Sequence, residues 1–411
     1  MINRRDFLKA SAVTGTGLML PMLGIARHAL AAPPFVPPVS PVLTKYVDQI
    51  PIPATVAPVL NPATSFYELA LGMASASSHS FSLSSGQPIY QVGNGSGLFD
   101  APLALPSLLI APGERADILV DFTGRAVGDM IILRNNAPTP FPGGKRVARA
   151  GGSPLPEIMQ FAVTAAAGAD AVLTVPATLR GGAGQPPVTT WLSAHTASIV
   201  KQRTIALFEV AGPAGPIAAT INVLDFHESL GGPNGISGAN AVAKDTLEQW
   251  NIINLTGDTH PMHIHPVHFQ VLNRQSLNVN QFIKAMLAAG GTRTFTALGV
   301  SVLVPDTTAA AIPDPTPFLK GPAVPPAANE AGWTDTIQVP PGKVTRLLVP
   351  FGSESLGGAP GIPFGQLVSA ADVAPYDNPA EFNGSFTGAF VWHCHILEHE
   401  ENDMMNFYEV V

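Results

Sequence analysis

An all-β fold, with short strands assembled into β-sandwiches, is what this 411-residue sequence predicts. Three observations point there. Gly (39) and Pro (41) are unusually frequent and fall between short Val/Ile/Leu/Phe runs, where turns between strands belong. Those runs recur at spacings that suit a sandwich. Helical periodicity is sparse, with Val279–Ala289 the best stretch for a helix. Hydrophobic residues make up 46% and charged ones 12%, so the chain can bury a core and is not an acidic disordered segment. Its length allows two or three domains of roughly 100–200 residues each. Asp and Glu (29) outnumber Lys and Arg (21), and no basic run occurs. Nucleic acid, whose phosphates need a Lys/Arg face, is therefore excluded as a partner. A single cysteine rules out an internal disulfide framework.

Along the chain, residues 1–32 read as an export leader. Arg4-Arg5 precedes an apolar Gly/Ala-rich stretch from Ala10 to Ile25, and Ala29-Leu30-Ala31 offers small residues for cleavage. Paired arginines beside a modest apolar run fit the twin-arginine route. No other stretch is long and apolar enough to span a membrane. The mature protein is thus expected to be soluble, periplasmic or secreted, with no stable membrane span once the leader is removed. Residues 33–75 form a Pro-rich lead-in. Residues 76–200 read as a first β-rich module, with strands expected at Ser80–Leu83, Ile89–Val92, Leu108–Ile110, Ala116–Phe122 and Met130–Arg134, and linker-like stretches at 142–155 and 180–188. Residues 201–411 read as a second, with strands at Gln249–Leu255, Phe269–Leu272, Asp335–Val339, Val344–Val349 and Ala389–His395. The Gly/Ala/Pro stretches at 287–292, 307–328 and 353–365 are expected to be inserted loops.

The chemistry gathers in that second module. Seven of the 11 histidines lie in two segments, His260-Pro261-Met262-His263-Ile264-His265-Pro266-Val267-His268 and His393-Cys394-His395-Ile396-Leu397-Glu398-His399. Side chains alternate faces along a strand, so His263 and His265 share one face. By the same rule His393 and His395 share a face while Cys394 points to the other. One strand can then carry a metal site on each side, joined by the cysteine backbone. A thiolate, two imidazoles and a distant thioether form the ligand set of a blue-copper electron-transfer site. Cys394, His399 and Met404 supply three of these on a strand–loop unit, and His260 is the candidate for the fourth. Zinc takes Cys and His as well, so the residue types leave it open beside copper. His268 falls outside the pattern and reads as structural, as do the isolated His79, His195 and His227; His28 belongs to the leader.

These segments resemble multicopper oxidases, in particular the spore-coat laccase and bilirubin oxidase branch. Further resemblance lies in Leu109-Ile110-Ala111-Pro112-Gly113-Glu114-Arg115-Ala116-Asp117, in Trp250 to Asp258 and in Asn329 to Thr336. The resemblance implies tandem cupredoxin-like Greek-key β-sandwich domains. It implies that His260, Cys394 and His399 bind a type 1 copper with Met404 axial. His263 would serve a type 2 copper, and His265, His393 and His395 a type 3 pair. Electrons from a small-molecule phenol or a metal-ion donor would enter at the type 1 copper and cross Cys394 to His393 and His395, where dioxygen is reduced to water. Glu400 matches the family's proton-donating acid. The sequence departs from the family in one respect. The full cluster takes four His-X-His pairs, and the sequence holds two, His263/His265 and His393/His395. Around Met73–Ala76 the text reads as though most of a first cupredoxin domain were missing. Three expectations follow: a laccase-like oxidase, a truncated non-enzymatic blue-copper protein for electron transfer or copper binding, and a half-enzyme whose missing histidines arrive on a second chain.

Overall fold

The computed structural model describes residues 67–70, 78–138, 141–144, 156–163, 195–212, 215–224, 240–244, 246–297, 299–308, 311–351, 388–402 and 404–411, together with 175, 177–179, 188 and 226. The leader, most of the lead-in, the Met73–Ala76 join, His28, His227, most of the two linker-like stretches and the loop at 353–365 lie outside the described residues.

Eight strands make the first sandwich: β1 (Tyr67–Ala70), β2 (His79–Leu83), β3 (Ile89–Asn94), β4 (Gly97–Leu105), β5 (Leu108–Ile110), β6 (Arg115–Leu119), β7 (Met130–Asn135) and β8 (Glu157–Ala162). They form two four-stranded sheets, ordered β1-β6-β3-β4 and β5-β2-β7-β8. Alternate residues of both sheets meet in one core: Phe81, Leu83, Leu108, Ile110, Ile131 and Leu133 from one, Ile89, Ala116 and Ile118 from the other. That packing is what period-2 alternation produces when two sheets face each other.

The second sandwich is larger. It comprises β9 (Ile199–Gly212), β10 (Gly215–Ile221), β11 (Ala241–Val242), β12 (Leu247–Asn254), β13 (His260–Ile264), β14 (Gln270–Leu277), helix α1 (Val279–Gly290), β15 (Thr292–Ala297), β16 (Val300–Pro305), β17 (Leu319–Val324), β18 (Thr336–Val339), β19 (Lys343–Pro350), β20 (Gly388–Cys394), the short helix α2 (Leu397–Glu400) and β21 (Met405–Val410). A six-stranded sheet, β10-β9-β12-β19-β14-β17, faces a five-stranded sheet, β11-β21-β20-β13-β18. Between them lies a core that includes Leu207, Trp250, Ile252, Val271, Leu347, Met262, Ile264, Trp392, Cys394 and Tyr408. The Trp250 ring packs edge-on against Trp392 (5.3 Å between centroids) and Tyr408 (5.9 Å). Its indole N–H donates to Glu248 Oε2 at 3.0 Å, and Arg203 pairs with the same carboxylate.

The outer face of the six-stranded sheet is covered too. Phe282 and Met286 of α1 and Phe295 and Val304 of the β15–β16 ribbon pack on Ala206, Val210, Ile253 and Val344. Strand β12 is consequently buried at every position, since neither of its faces meets water. This layer corrects the loop expectation at 287–292, whose first residues close α1. Strand β17 corrects part of that at 307–328. In both places the Gly/Ala/Pro content suggested a loop, while flanking apolar residues found a sheet face to cover. The helix expected at 279–289 is α1, one residue longer. The expected strand end at His395 is corrected to Cys394, and His265 falls just past β13.

Candidate metal centre

Strand pairing sets the site. In the antiparallel β13–β20 pair, Met262 lies opposite Cys394, His263 opposite His393 and Ile264 opposite Trp392. Alternation then sends His260, Met262, Ile264, Trp392 and Cys394 into the sandwich and His263 and His393 out of it. His260 and Cys394 are wholly buried; of the outward-facing residues His393 is buried beneath its neighbours, His263 is half-buried and His265 exposed. Past Cys394 the chain turns into α2, which brings His399 back over the thiol, and Met404 closes the loop. The Cys394 N–H donates to Met404 O at 3.0 Å, and the Met404 N–H to His399 O at 2.9 Å.

On the inward side, three ligand atoms converge. Cys394 Sγ lies 3.6 Å from His260 Nδ1 and 3.7 Å from His399 Nδ1, and the two Nδ1 atoms are 3.2 Å apart. A point equidistant from all three sits about 2.0 Å from each. That matches a metal–nitrogen bond of about 2.0–2.1 Å and is slightly short of a metal–sulfur bond of about 2.3 Å. Met404 is wholly buried. Burial pushes the Cys394 thiol well up, pushes His260 well down and lowers His399 to about 4. Neutral imidazoles present their lone pairs, and a bound cation is what turns such a thiol into thiolate. The donor set fits a small, soft-tolerant metal ion.

On the outward side, four imidazoles gather. Ring centroids lie 4.4 Å apart for His263–His265, 5.4 Å for His265–His393, 5.2 Å for His393–His395 and 5.5 Å for His263–His395. His265 Nε2 and His393 Nε2 approach to 3.2 Å. His263 Nδ1 faces the Asp335 carbonyl at 2.9 Å and Thr336 Oγ1 at 3.0 Å, and His393 Nδ1 faces the Cys394 carbonyl at 3.1 Å. Protons held on those Nδ1 atoms leave the Nε2 lone pairs free. Burial lowers His263 to about 4 and lowers His265 and His393 as well. Glu400 stands on the Nδ1 side of His393, its Oε2 3.6 Å away, with the side chain 32% exposed.

The first sandwich closes one flank of that cluster. Arg115 grips Asp335 with two parallel contacts of 2.6 and 2.7 Å, a bidentate fork. Burial alone would raise the Asp335 carboxyl; the guanidinium outweighs it and holds the group below its ordinary range. Glu114 Oε2 accepts from the Gln338 amide at 2.7 Å and the Ala111 N–H at 2.8 Å, yet burial still lifts its carboxyl to about 7. Gly113, at φ +79°, lies so close to His395 that a Cβ there would meet the ring at 2.3 Å. Beside this contact a cavity of about 420 Å³ opens between the modules, lined by residues that include Glu114, Arg115, Arg274 and Gln338.

The structure thus brings His260, Cys394 and His399 together, and separately His263, His265, His393 and His395. It leaves Glu400 against the far side of one imidazole. Sequence reasoning missed Glu209. Its Oε1 lies 3.3 Å from both His260 Nε2 and His399 Nε2. Asp258 is close by, and Glu209, Asp258 and His399 place ligand atoms within 4.8 Å of one another. A signal existed, because Ile205, Leu207 and Glu209 share one strand face, and a carboxylate on an apolar face asks for a reason.

A family profile described as "Multicopper oxidase" matches residues 232–354 and 379–411, the two stretches that hold His260, His263, His265, His393, Cys394, His395, His399 and Met404. Over these two stretches the chain is similar to the multicopper oxidase family. Residues 1–21 match the twin-arginine translocation pathway signal sequence, which marks the chain for export. Among the described residues no helix is long and apolar enough to cross a membrane. The chain is 29% identical over 332 residues to "Laccase" of Bacillus subtilis (strain 168) and 28% identical over 333 residues to "Multicopper oxidase LPR2" of Arabidopsis thaliana. Each alignment covers 80% of this chain and 47% of the relative; the chain spans about half the length of the curated relatives it matches. A variant of the McoA multicopper oxidase from the hyperthermophile Aquifex aeolicus superposes with TM-score 0.50 at 24% identity, covering 81% of this chain and 53% of that one. That likeness shows the fold alone: tandem cupredoxin-like Greek-key sandwiches, all-β. The profile match implies copper binding.

Proposed function

We propose that His260, Cys394 and His399 hold a type 1 copper, with Met404 as the distant fourth ligand, and that this centre accepts single electrons from a phenolic or metal-ion donor. The observation that carries the reading is the closed triangle of Nδ1, Nδ1 and Sγ atoms at 3.2–3.7 Å, inside a core that excludes water. Copper in such an N₂S environment supplies one-electron redox chemistry. The chain's own part is to keep the ligands dry and fixed and to join them to the outward imidazoles. Cys394 and His393 are neighbours on β20, so one peptide links the two faces.

His263, His265, His393 and His395 are proposed as half of the family's dioxygen-reducing cluster, with His263 toward the type 2 and the others toward the type 3 positions. Glu400, beside His393, is the proposed proton donor. The sequence's two His-X-His pairs make a second chain carrying further imidazoles the route to dioxygen reduction. Without one, the protein acts as an electron-transfer or copper-binding protein. In this reading residues 76–200 form a middle domain without copper ligands and residues 201–411 the copper-binding domain.

The test is copper per chain after anaerobic reconstitution, read with the visible spectrum. One tightly held copper with an intense thiolate-to-copper band, absent in Cys394→Ala, supports the reading. Copper uptake without that band, or a band that survives the substitution, overturns it. Dioxygen uptake with a phenolic donor then separates oxidase from electron carrier.

A further inference from the structure

His260 and His399 each have a second ring nitrogen, and what those Nε2 atoms touch decides which nitrogen can bind a metal. An imidazole carries one proton in its neutral form, and a partner at one nitrogen sets the lone pair free at the other. For His260 the partner is Thr256, whose Oγ1 lies 2.6 Å from Nε2. That hydroxyl also lies 2.8 Å from Asn254 Oδ1, an acceptor able only to receive its proton. The Asn254 amide nitrogen is spent on the Asp258 and Val339 carbonyls, both at 2.7 Å, so its oxygen is the end that faces Thr256. With its one hydrogen committed, Thr256 accepts from His260 Nε2–H. The His260 lone pair is thereby left on Nδ1, facing Cys394.

His399 has the same need and a different partner. Its Nε2 lies 3.3 Å from Glu209 Oε1. That oxygen is sealed from solvent and takes no hydrogen bond of normal geometry, while both histidine Nε2 atoms sit at 3.3 Å from it. A carboxylate oxygen buried without a partner is costly. Here it faces two ring nitrogens: the proton on His260 Nε2 goes to Thr256, and the one on His399 Nε2 is left for Glu209 to accept. Glu209 reaches them because β9 alternation puts it on the inward face with Ile205 and Leu207, both packed in the inter-sheet core.

We infer that Glu209 and Thr256 are positioning residues of the copper site: they hold the Nε2 protons of His399 and His260, so that both Nδ1 lone pairs point at the position beside Cys394 Sγ. This rests on the reading of His260, Cys394 and His399 as copper ligands. It assigns work to a residue 51 positions upstream of His260, on a strand of the opposite sheet.

The experiment uses the full chain and copper itself as the probe. Wild type, Glu209→Leu, Glu209→Gln, Thr256→Val and Thr256→Ser are compared for copper affinity by chelator competition, for reduction potential of the visible band, and for melting of the copper-free form. Loss of such a partner typically costs 10–100-fold in metal affinity. E209L and T256V are expected to lose at least 10-fold, and their potentials to move positive as the imidazoles become weaker donors. E209Q and T256S, which keep an accepting oxygen, are expected to return toward wild type in both readouts. A purely structural role would change melting and leave the potential in place. If E209L and T256V match wild type in affinity and potential, this inference is overturned while the copper assignment stands. If wild type itself takes up no copper, both fall together.

Discussion

Two faces of one strand gather two sets of metal-ligating side chains, and they differ most in how much of each set's surroundings the chain supplies. The inward face of β20 is dry and self-contained. Its proposed ligands come from β13, β20 and the α2 turn of one sandwich, in a core shared with Trp250, Trp392 and Tyr408. The outward face is half-open and leans on another module. His263 is held by Asp335, Asp335 by Arg115, and His395 is flanked by Gly113. A site enclosed by its own core can be complete without help, whereas one on a sheet's exterior takes its walls from whatever docks there. Substitutions should therefore separate the faces.

The largest separation is expected from Cys394→Ala. It removes the thiolate and with it the whole visible band, while imidazole-type copper signals from the outward face persist in electron paramagnetic resonance. Loss of both signals together would mean that the two faces do not act as distinct sites.

Next comes the clamp. Arg115→Ala removes a bidentate charged contact, which costs about 1.5–3 kcal/mol for hydrogen bonds to charged groups. It also releases Asp335 from its guanidinium. Urea denaturation should show that loss, and copper at the outward face should weaken while the visible band keeps its position.

Gly113→Ala is smaller in stability but sharper in place. A left-handed residue with a Cβ costs roughly 1–2 kcal/mol, and here the added carbon meets the His395 ring at 2.3 Å. The expected outcome is an altered outward-face resonance signal with an unaltered reduction potential inside.

The smallest effect is a pH dependence. Glu114 stays protonated in the folded chain up to about 7, against an ordinary value of 4.5. Between those values the folded state binds a proton that the unfolded state has lost. Stability from this group is thus full below about 4.5 and declines as pH rises through 7. His263 and His399, lowered to about 4 from 6.5, act in the other direction and remove stability as pH falls from 6.5 through 4. Denaturation midpoints of the copper-free protein should peak between these limits. Glu114→Gln should lessen the decline between about 6.5 and 7, above the histidine window, while Glu209, raised by burial to about 8, keeps part of the decline; an unchanged decline would assign it to Glu209 alone.

Much of the metal centre was legible in the strand period. Alternation alone placed Cys394 opposite in direction to His393 and His395, and the β13–β20 register shows the same division. The all-β class was legible in the Gly/Pro punctuation. Other features were hidden for identifiable reasons. Glu209 meets the histidines only through sheet stacking, which no local window reports, whereas Thr256 lies four residues before His260 and touches it across one turn of chain. Strand β9 carries Lys201, Gln202 and Arg203 near its start, and their polarity masks a pairing with β12 that begins at Ile199. Helix α1 runs into a Gly/Ala tail that composition assigns to a loop. Burial of Phe282 and Met286 on the sheet keeps it helical. Asp335 and Gly113 lay within segments already singled out, yet their contact with the histidines needed the docking of one sandwich on the other.

The β20 register also constrains how this chain can change by insertion. Strand β20 is held residue by residue against β21, from Gly388 opposite Val410 to His393 opposite Met405. Adding one residue inside β20 would invert parity downstream: sulfur would face the exterior and imidazoles the aromatic core, erasing both centres in a single event. Adding two would restore parity but displace the ligands by about 6.8 Å along the strand, beyond the reach of their partners on β13. Indels in this strand are thus filtered twice, once by parity and once by height. A gene lineage carrying both centres must accumulate its length variation elsewhere.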